Sequence, residues 1–83
     1  MPPSAKSPDH LALGRALREL RTEQGISQEE LGYASGLHRN YVGACERGEI
    51  NLSFGVILRL ITGLHATLPE LANRYERHRN TSI

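Results

Sequence analysis

"ELGYASGLHRNYVGACERG", Glu30 to Gly48, sets two short helical patterns on either side of a glycine. The first ends at Gly36, and the second runs from about His38 to Arg47 with Tyr41, Val42 and Cys45 at its apolar positions. Gly36 can adopt the positive φ that strains any residue carrying a Cβ. Gly32 is small where the two helices must cross, although glycine inside a helix costs about 1 kcal/mol relative to alanine. Leu31, Leu37, Val42 and Cys45 make an inward face that sets the angle between the helices. His38, Arg39, Asn40, Gly43, Ala44 and Arg47 then point outward, with the polar ones gathered at the amino-terminal end.

The flanks extend this pattern. Immediately upstream, "SQEE" (Ser27 to Glu30) is a capping box, so the first of the two helices starts at Gln28. Before it, Leu13, Ala16, Leu17 and Leu20 fall at i, i+3, i+4 and i+7, predicting an amphipathic helix that begins near Asp9 and is stopped by Gly25. Downstream, Ser53 is suited to cap a helix whose stripe is Phe54, Ile57, Leu58 and Ile61. Val56, Leu60 and Leu64 lie on a second flank of that helix, which predicts either completion of a small core or a dimer contact. "TLPE" (Thr67 to Glu70) is a second capping box and opens a helix with Leu71, Ala72 and Tyr75 on one face. The expectation is an all-α chain of five helices. Met1 to Pro8 hold three of the four prolines and read as a mobile arm, residues 9–79 as one domain and residues 80–83 as a tail.

With 83 residues the chain has room for one core. Its single cysteine cannot form an internal disulfide, and no Cys/His pair stands at zinc-ligand spacing, so neither metal nor cofactor is expected. Cys45 sits on the apolar face and reads as a packing residue. Glu29 and Glu30 are neighbours along a helix and do not face each other, and no nucleophile, base and orienting group occur together, so an enzyme is not expected. No apolar run is long enough to span a membrane, and "MPPSAKSPDH" lacks a secretory segment, which predicts a cytoplasmic protein. The formal net charge is only +1, so any basic surface must arise from local placement. The run "RYERHR" (Arg74 to Arg79) reads as a solvated helix end.

Two helices joined by a glycine turn form a helix-turn-helix, spanning residues 28–47. Such a motif places the first turn of its second helix nearest the base edges of the major groove, which explains why that helix opens on His-Arg-Asn-Tyr. Arginine suits guanine and asparagine suits adenine. Gly43 and Ala44 are small enough to let the helix approach closely, and the Ala44 methyl suits a thymine methyl.

The stretch from Leu17 to Leu71 resembles the Cro/C1-type helix-turn-helix family of regulators. The likeness is carried by the first helix, its glycine stop, "SQEEL", the glycine turn, "ERG" and the apolar fourth helix. The short chain is also similar to the controller proteins of restriction-modification systems. The resemblance implies a five-helix, lambda-repressor-like DNA-binding domain that acts as a homodimer on a roughly palindromic operator and regulates transcription. It implies Arg39 and Asn40 as base readers, with Gly43 and Ala44 at the neighbouring positions. It further implies Gln28, Tyr41, Arg47 and Asn51 as backbone contacts, and an ion pair between Arg21 and Glu46. With Glu46 so occupied, Arg39 and Arg47 are expected to remain unopposed on the groove-facing side.

The sequence departs from that family at three places. His38 stands where a Ser or Thr cap is usual, predicting a less sharply defined helix start, and beside phosphates it would gain charge below about pH 6.5. Gly43 and Ala44 replace polar readers, and Leu52 replaces a frequent proline. Two other readings share the motif: an antitoxin that neutralises a toxin and also binds its operator, and a protein-interaction module that does not use the groove face. RNA polymerase or a toxin would be the protein partner beside double-stranded DNA.

Overall fold

The computed structural model describes residues 6–81, which form five helices: α1 Pro8–Glu23, α2 Gln28–Ser35, α3 Arg39–Glu46, α4 Phe54–Gly63 and α5 Leu68–Thr81. No strand occurs among the described residues. Helix α1 starts one residue earlier than expected. Ser7 caps it by accepting from the His10 amide, and Pro8 occupies the first turn, where its missing N–H costs nothing. Pro8 is therefore helix rather than arm, while residues 1–5 lie outside the described residues. At the other end α5 continues through Asn80 to Thr81, inside the segment expected to be a tail.

Local chemistry defines the helix ends. In the Ser27 box, the Ser27 hydroxyl accepts from the Glu30 amide and the Glu30 carboxylate accepts from the Ser27 amide, each at 2.9 Å. The same reciprocal pair joins Thr67 and Glu70 at the start of α5, at 3.0 and 3.2 Å. Gly36 ends α2 with φ 72°, the left-handed value that the turn requires. Ser53 caps α4 by accepting from the Val56 amide.

Leu17, Leu31, Val42, Cys45, Leu60 and Leu64 are the largest fully buried side chains. Of the two readings of the second flank of α4, the structure supports completion of the core and corrects the dimer contact, because Leu60 and Leu64 are 0% exposed and Val56 is partly buried against the same core. With α2 packed on one side of α4 and α5 on another, that helix needs its wide apolar arc inside the monomer. Exposed apolar side chains lie elsewhere: Phe54 and Leu58 on α4 and Leu68 on α5. Leu68 lines an apolar groove with Leu13, Ile57, Leu71, Ala72 and Tyr75, whereas Leu58 borders a separate hollow with Ala34, Ser35, Arg59 and Thr62.

Two glycines permit close helix crossings. A Cβ on Gly32 would come within 2.5 Å of the Leu37 carbonyl oxygen, and one on Gly14 within 2.5 Å of the Glu46 carbonyl oxygen. The first holds α2 against the turn before α3, and the second lets α1 cross under the end of α3. Three arginines and a histidine of α5 then tie it to α1. Arg74 pairs with Glu19 and Glu23, Arg77 and His78 with Glu19, and Arg79 with Asp9. The basic run expected to be a solvated helix end is thus an inter-helix ion network.

Candidate nucleic-acid interface

Helix α3 begins where the Gly36 turn releases the chain, and its cap is His38. The His38 Nδ1 accepts from the Asn40 amide at 3.0 Å, so the histidine performs the task expected of Ser or Thr and the helix start is well defined. Arg39 and Asn40 follow at the first turn, both exposed. Val42 and Cys45 face the core from the same helix, which leaves the opposite side of α3 open. Burial pushes the Cys45 thiol up to about 11, so it stays protonated and inert at neutral pH.

Arg39 does not stand unopposed. Its Nη1 donates to Glu29 Oε2 of α2 at 2.8 Å, with both side chains more than half exposed. Arg47 likewise donates to Glu49 from Nε at 2.9 Å and from Nη2 at 3.2 Å. This hydrogen bonding raises the Arg47 pKa and holds the Glu49 carboxyl below its ordinary value. The expectation of two free arginines is therefore corrected: Arg39 carries the exposed Glu29 carboxylate, which a base can replace because solvent-exposed pairs are weak, and Arg47 is paired with Glu49 through Nε and Nη2, which leaves Nη1 for another acceptor.

The pair implied between Arg21 and Glu46 is present. Arg21 donates from Nε to Glu46 Oε2 at 2.6 Å and from Nη2 to Oε1 at 3.0 Å, and its Nη1 reaches the Ile26 carbonyl at 2.8 Å. The Glu46 hydrogen bonds raise the Arg21 pKa against the lowering effect of burial. Glu46 Oε1 also accepts from Gln28 Nε2 at 3.0 Å, so the ion pair anchors the side chain at the start of α2. One Gln28 amide hydrogen is used in this way, and the second is left for another acceptor at a helix amino terminus that favours anions.

The remaining residues divide. Tyr41 is half-buried against the core, and loss of solvent raises its hydroxyl pKa. Ala44 is partly exposed beyond the first turn. Asn51 Oδ1 accepts from His10 Nε2 at 3.2 Å, which orients its amide and leaves Nδ2 as a donor. Gly43 is corrected: it is buried beneath Gln28 and Arg47 and presents no surface to a base. Glu29 and His10 carry no mark of their partners in the sequence, because nothing in the local pattern joins residues 10 or 41 positions apart; Glu49 is only two residues from Arg47, a spacing that does not by itself fix a pair in the loop after α3. Tyr33, 85% exposed, also went unread; it lines a shallow hollow with Glu29, Leu37, His38 and Arg39. Among the described residues, no three His, Cys, Asp or Glu gather to hold a metal ion. No single helix there is long and apolar enough to cross a membrane.

This geometry has counterparts among known proteins. The family model described as a helix-turn-helix domain matches residues 12–74. The control protein C.SmaI of Serratia marcescens is 37% identical over 62 residues, which cover 75% of this chain and 74% of that protein. The restriction-modification controller protein C.AhdI from Aeromonas hydrophila is 49% identical and superposes with a TM-score of 0.76, covering 78% of this chain and 98% of that one. The wild-type controller protein C.Esp1396I is 25% identical with a TM-score of 0.82, covering 88% of this chain and 95% of that one. The chain belongs to the helix-turn-helix family, within the Cro/C1-type group of the restriction-modification controller proteins.

Proposed function

We propose that this chain binds double-stranded DNA as a homodimer and regulates transcription, inserting the first turn of α3 into the major groove. The observation that carries this reading is the placement of Arg39 and Asn40 together, exposed, at the start of a helix whose other side is locked in the core. Arg39 offers paired donors that suit guanine, and Asn40 offers a donor and an acceptor that suit adenine. Gln28, Arg47, Tyr41 and Asn51 surround them as backbone contacts, which set affinity and register without reading sequence. The similarity to controller proteins supports the same reading, and C.Esp1396I has been solved as a tetramer in complex with its natural 35 base-pair operator.

The dimer forms through exposed Phe54 at the start of α4 and exposed Leu68 with the apolar groove that it lines. The chain acts by binding rather than catalysis, and it works in the cytoplasm, where the DNA is. Selection of bound sites from a pool of random duplexes tests the proposal. It is expected to return a two-fold symmetric site with half-sites separated by about one helical turn or a multiple of it. Retention that ignores salt, or a selected pool with no shared sequence, would defeat it.

A further inference from the structure

Resting on the DNA-binding reading, we infer that Gly43 is a positioning residue: the space left by its missing side chain seats Gln28 and Arg47 over the middle of α3 as a phosphate-gripping pair. The position faces away from the core and stands one turn beyond Arg39, where a base-reading side chain would fit. Yet Gly43 is buried, and what covers it is the ends of those two side chains.

Glycine here answers no backbone demand. The positive-φ glycines are Gly25, Gly36 and Gly48, so Gly43 keeps a torsion that any residue adopts. It lies inside a helix, where alanine is favoured over glycine. Gly14 and Gly32 differ in kind, because a Cβ on either would strike main-chain carbonyl oxygen. At Gly43 the nearest atoms are Arg47 Nη1 at 3.0 Å, Gln28 Oε1 at 3.2 Å and Gln28 Nε2 at 3.5 Å from an ideal Cβ. A side chain would thus push aside two polar groups and leave the helix itself undisturbed.

Those two groups are held from behind. Gln28 Nε2 is anchored on Glu46, and the Arg47 guanidinium is oriented through Nε and Nη2 on Glu49. Arg47 Nη1 is the nitrogen that reaches Gly43, so Gln28 and Arg47 arrive there from opposite sides, one from α2 and one from the end of α3. The consequence is a division along α3. Its first turn carries sequence preference through Arg39 and Asn40, and its middle carries donors suited to a sugar-phosphate strand.

Gly43→Ala tests this, with binding measured over a series of KCl concentrations on a duplex selected from the random pool and on a fixed random-sequence duplex of equal length. The melting temperature is expected to hold or rise, since alanine favours the helix. Affinity is expected to fall about tenfold on both duplexes, and the slope of log K against log salt to shrink by about 1. In a background of Gln28→Ala and Arg47→Ala the same change is expected to have no further effect on binding, because its targets are gone. Unchanged binding by Gly43→Ala, or a loss confined to the selected duplex, overturns the inference while wild-type binding stands. A wild-type chain with no salt-dependent binding to either duplex overturns the DNA-binding reading, and this inference with it.

Discussion

Arg39 Nη1 lies 2.8 Å from Glu29 Oε2, so the residue proposed to read a base already holds a carboxylate across the turn between α2 and α3. Binding DNA means exchanging that partner, and the released Glu29 charge then faces phosphates. Glu29→Gln removes both costs. The variant is expected to bind selected and random duplexes more tightly than wild type, by about three- to tenfold, and titrations at fixed salt read the change. Weaker binding would mean that Glu29 supports the arginine in the complex instead of competing for it.

The Arg21–Glu46 pair supports both the fold and the DNA-binding face. The Glu46 side chain is 3% exposed and that of Arg21 12%, so removing one partner strands a buried charge. Glu46→Ala is expected to lower stability by about 3 kcal/mol in urea denaturation. Replacing both together, Arg21→Met with Glu46→Leu, is expected to recover much of that stability. It is not expected to recover DNA affinity, because Gln28 has then lost the acceptor that holds it. Recovery of both would show that Glu46 serves the fold alone.

Core and self-association residues on α4 and α5 separate by burial. Leu60→Ala, at a position 0% exposed, is expected to cost about 3 kcal/mol of monomer stability. Phe54→Asp and Leu68→Glu each place an acid in the first residue of a helix, where the dipole favours it, so the fold is expected to survive. Sedimentation should find both variants shifted toward monomer relative to wild type. A dimer as tight as that of wild type would place the interface on another surface.

The ion network between α1 and α5 gives the fold an acid limit. Hydrogen bonds from Tyr75 and Arg79 hold Asp9 below its ordinary 3.8, and bonds from Arg74 hold Glu19 and Glu23 below 4.5, with His78 also helping Glu19. Folded-state values below the unfolded ones mean stabilisation that is complete above about pH 5 and is lost as pH falls through the depressed values. Melting temperature is therefore expected to be flat from pH 7 to about pH 5 and to fall below about pH 4.5. Asp9→Asn with Glu19→Gln should lower the plateau and flatten the acid slope.

What could be read from the sequence was what is local. Ser27 with Glu30, Thr67 with Glu70, and Gly36 each act within four residues, so helix starts and stops were legible. The apolar periods identified core-facing residues of α1, α2, α3 and α5, but on α4 the stripe of Phe54, Ile57, Leu58 and Ile61 misplaced the core face, because Phe54 and Leu58 are exposed while Leu60 and Leu64 are buried. Long-range relationships were not legible from spacing. Whether Leu60 and Leu64 face a core or a partner depends on how many helices surround α4, which no period within α4 records. The partners of Arg39 and Arg74 depend on which carboxylates the fold brings near. The Arg21–Glu46 pair, 25 residues apart, came from family resemblance and not from spacing. Gly43 looked outward by helical phase, and only the convergence of Gln28 and Arg47 shows why it is covered.

In the proposed mode of binding, the first turn of α3 reads bases while the residues around it hold the backbone. Comparing Arg39→Ala with Gln28→Ala on the selected duplex, its single-base variants and random DNA tests it most directly. Arg39→Ala is expected to erase discrimination at one base position, a loss of about 1 to 3 kcal/mol there, while Gln28→Ala is expected to weaken every duplex alike. Equal effects of the two variants on all sequences would contradict it.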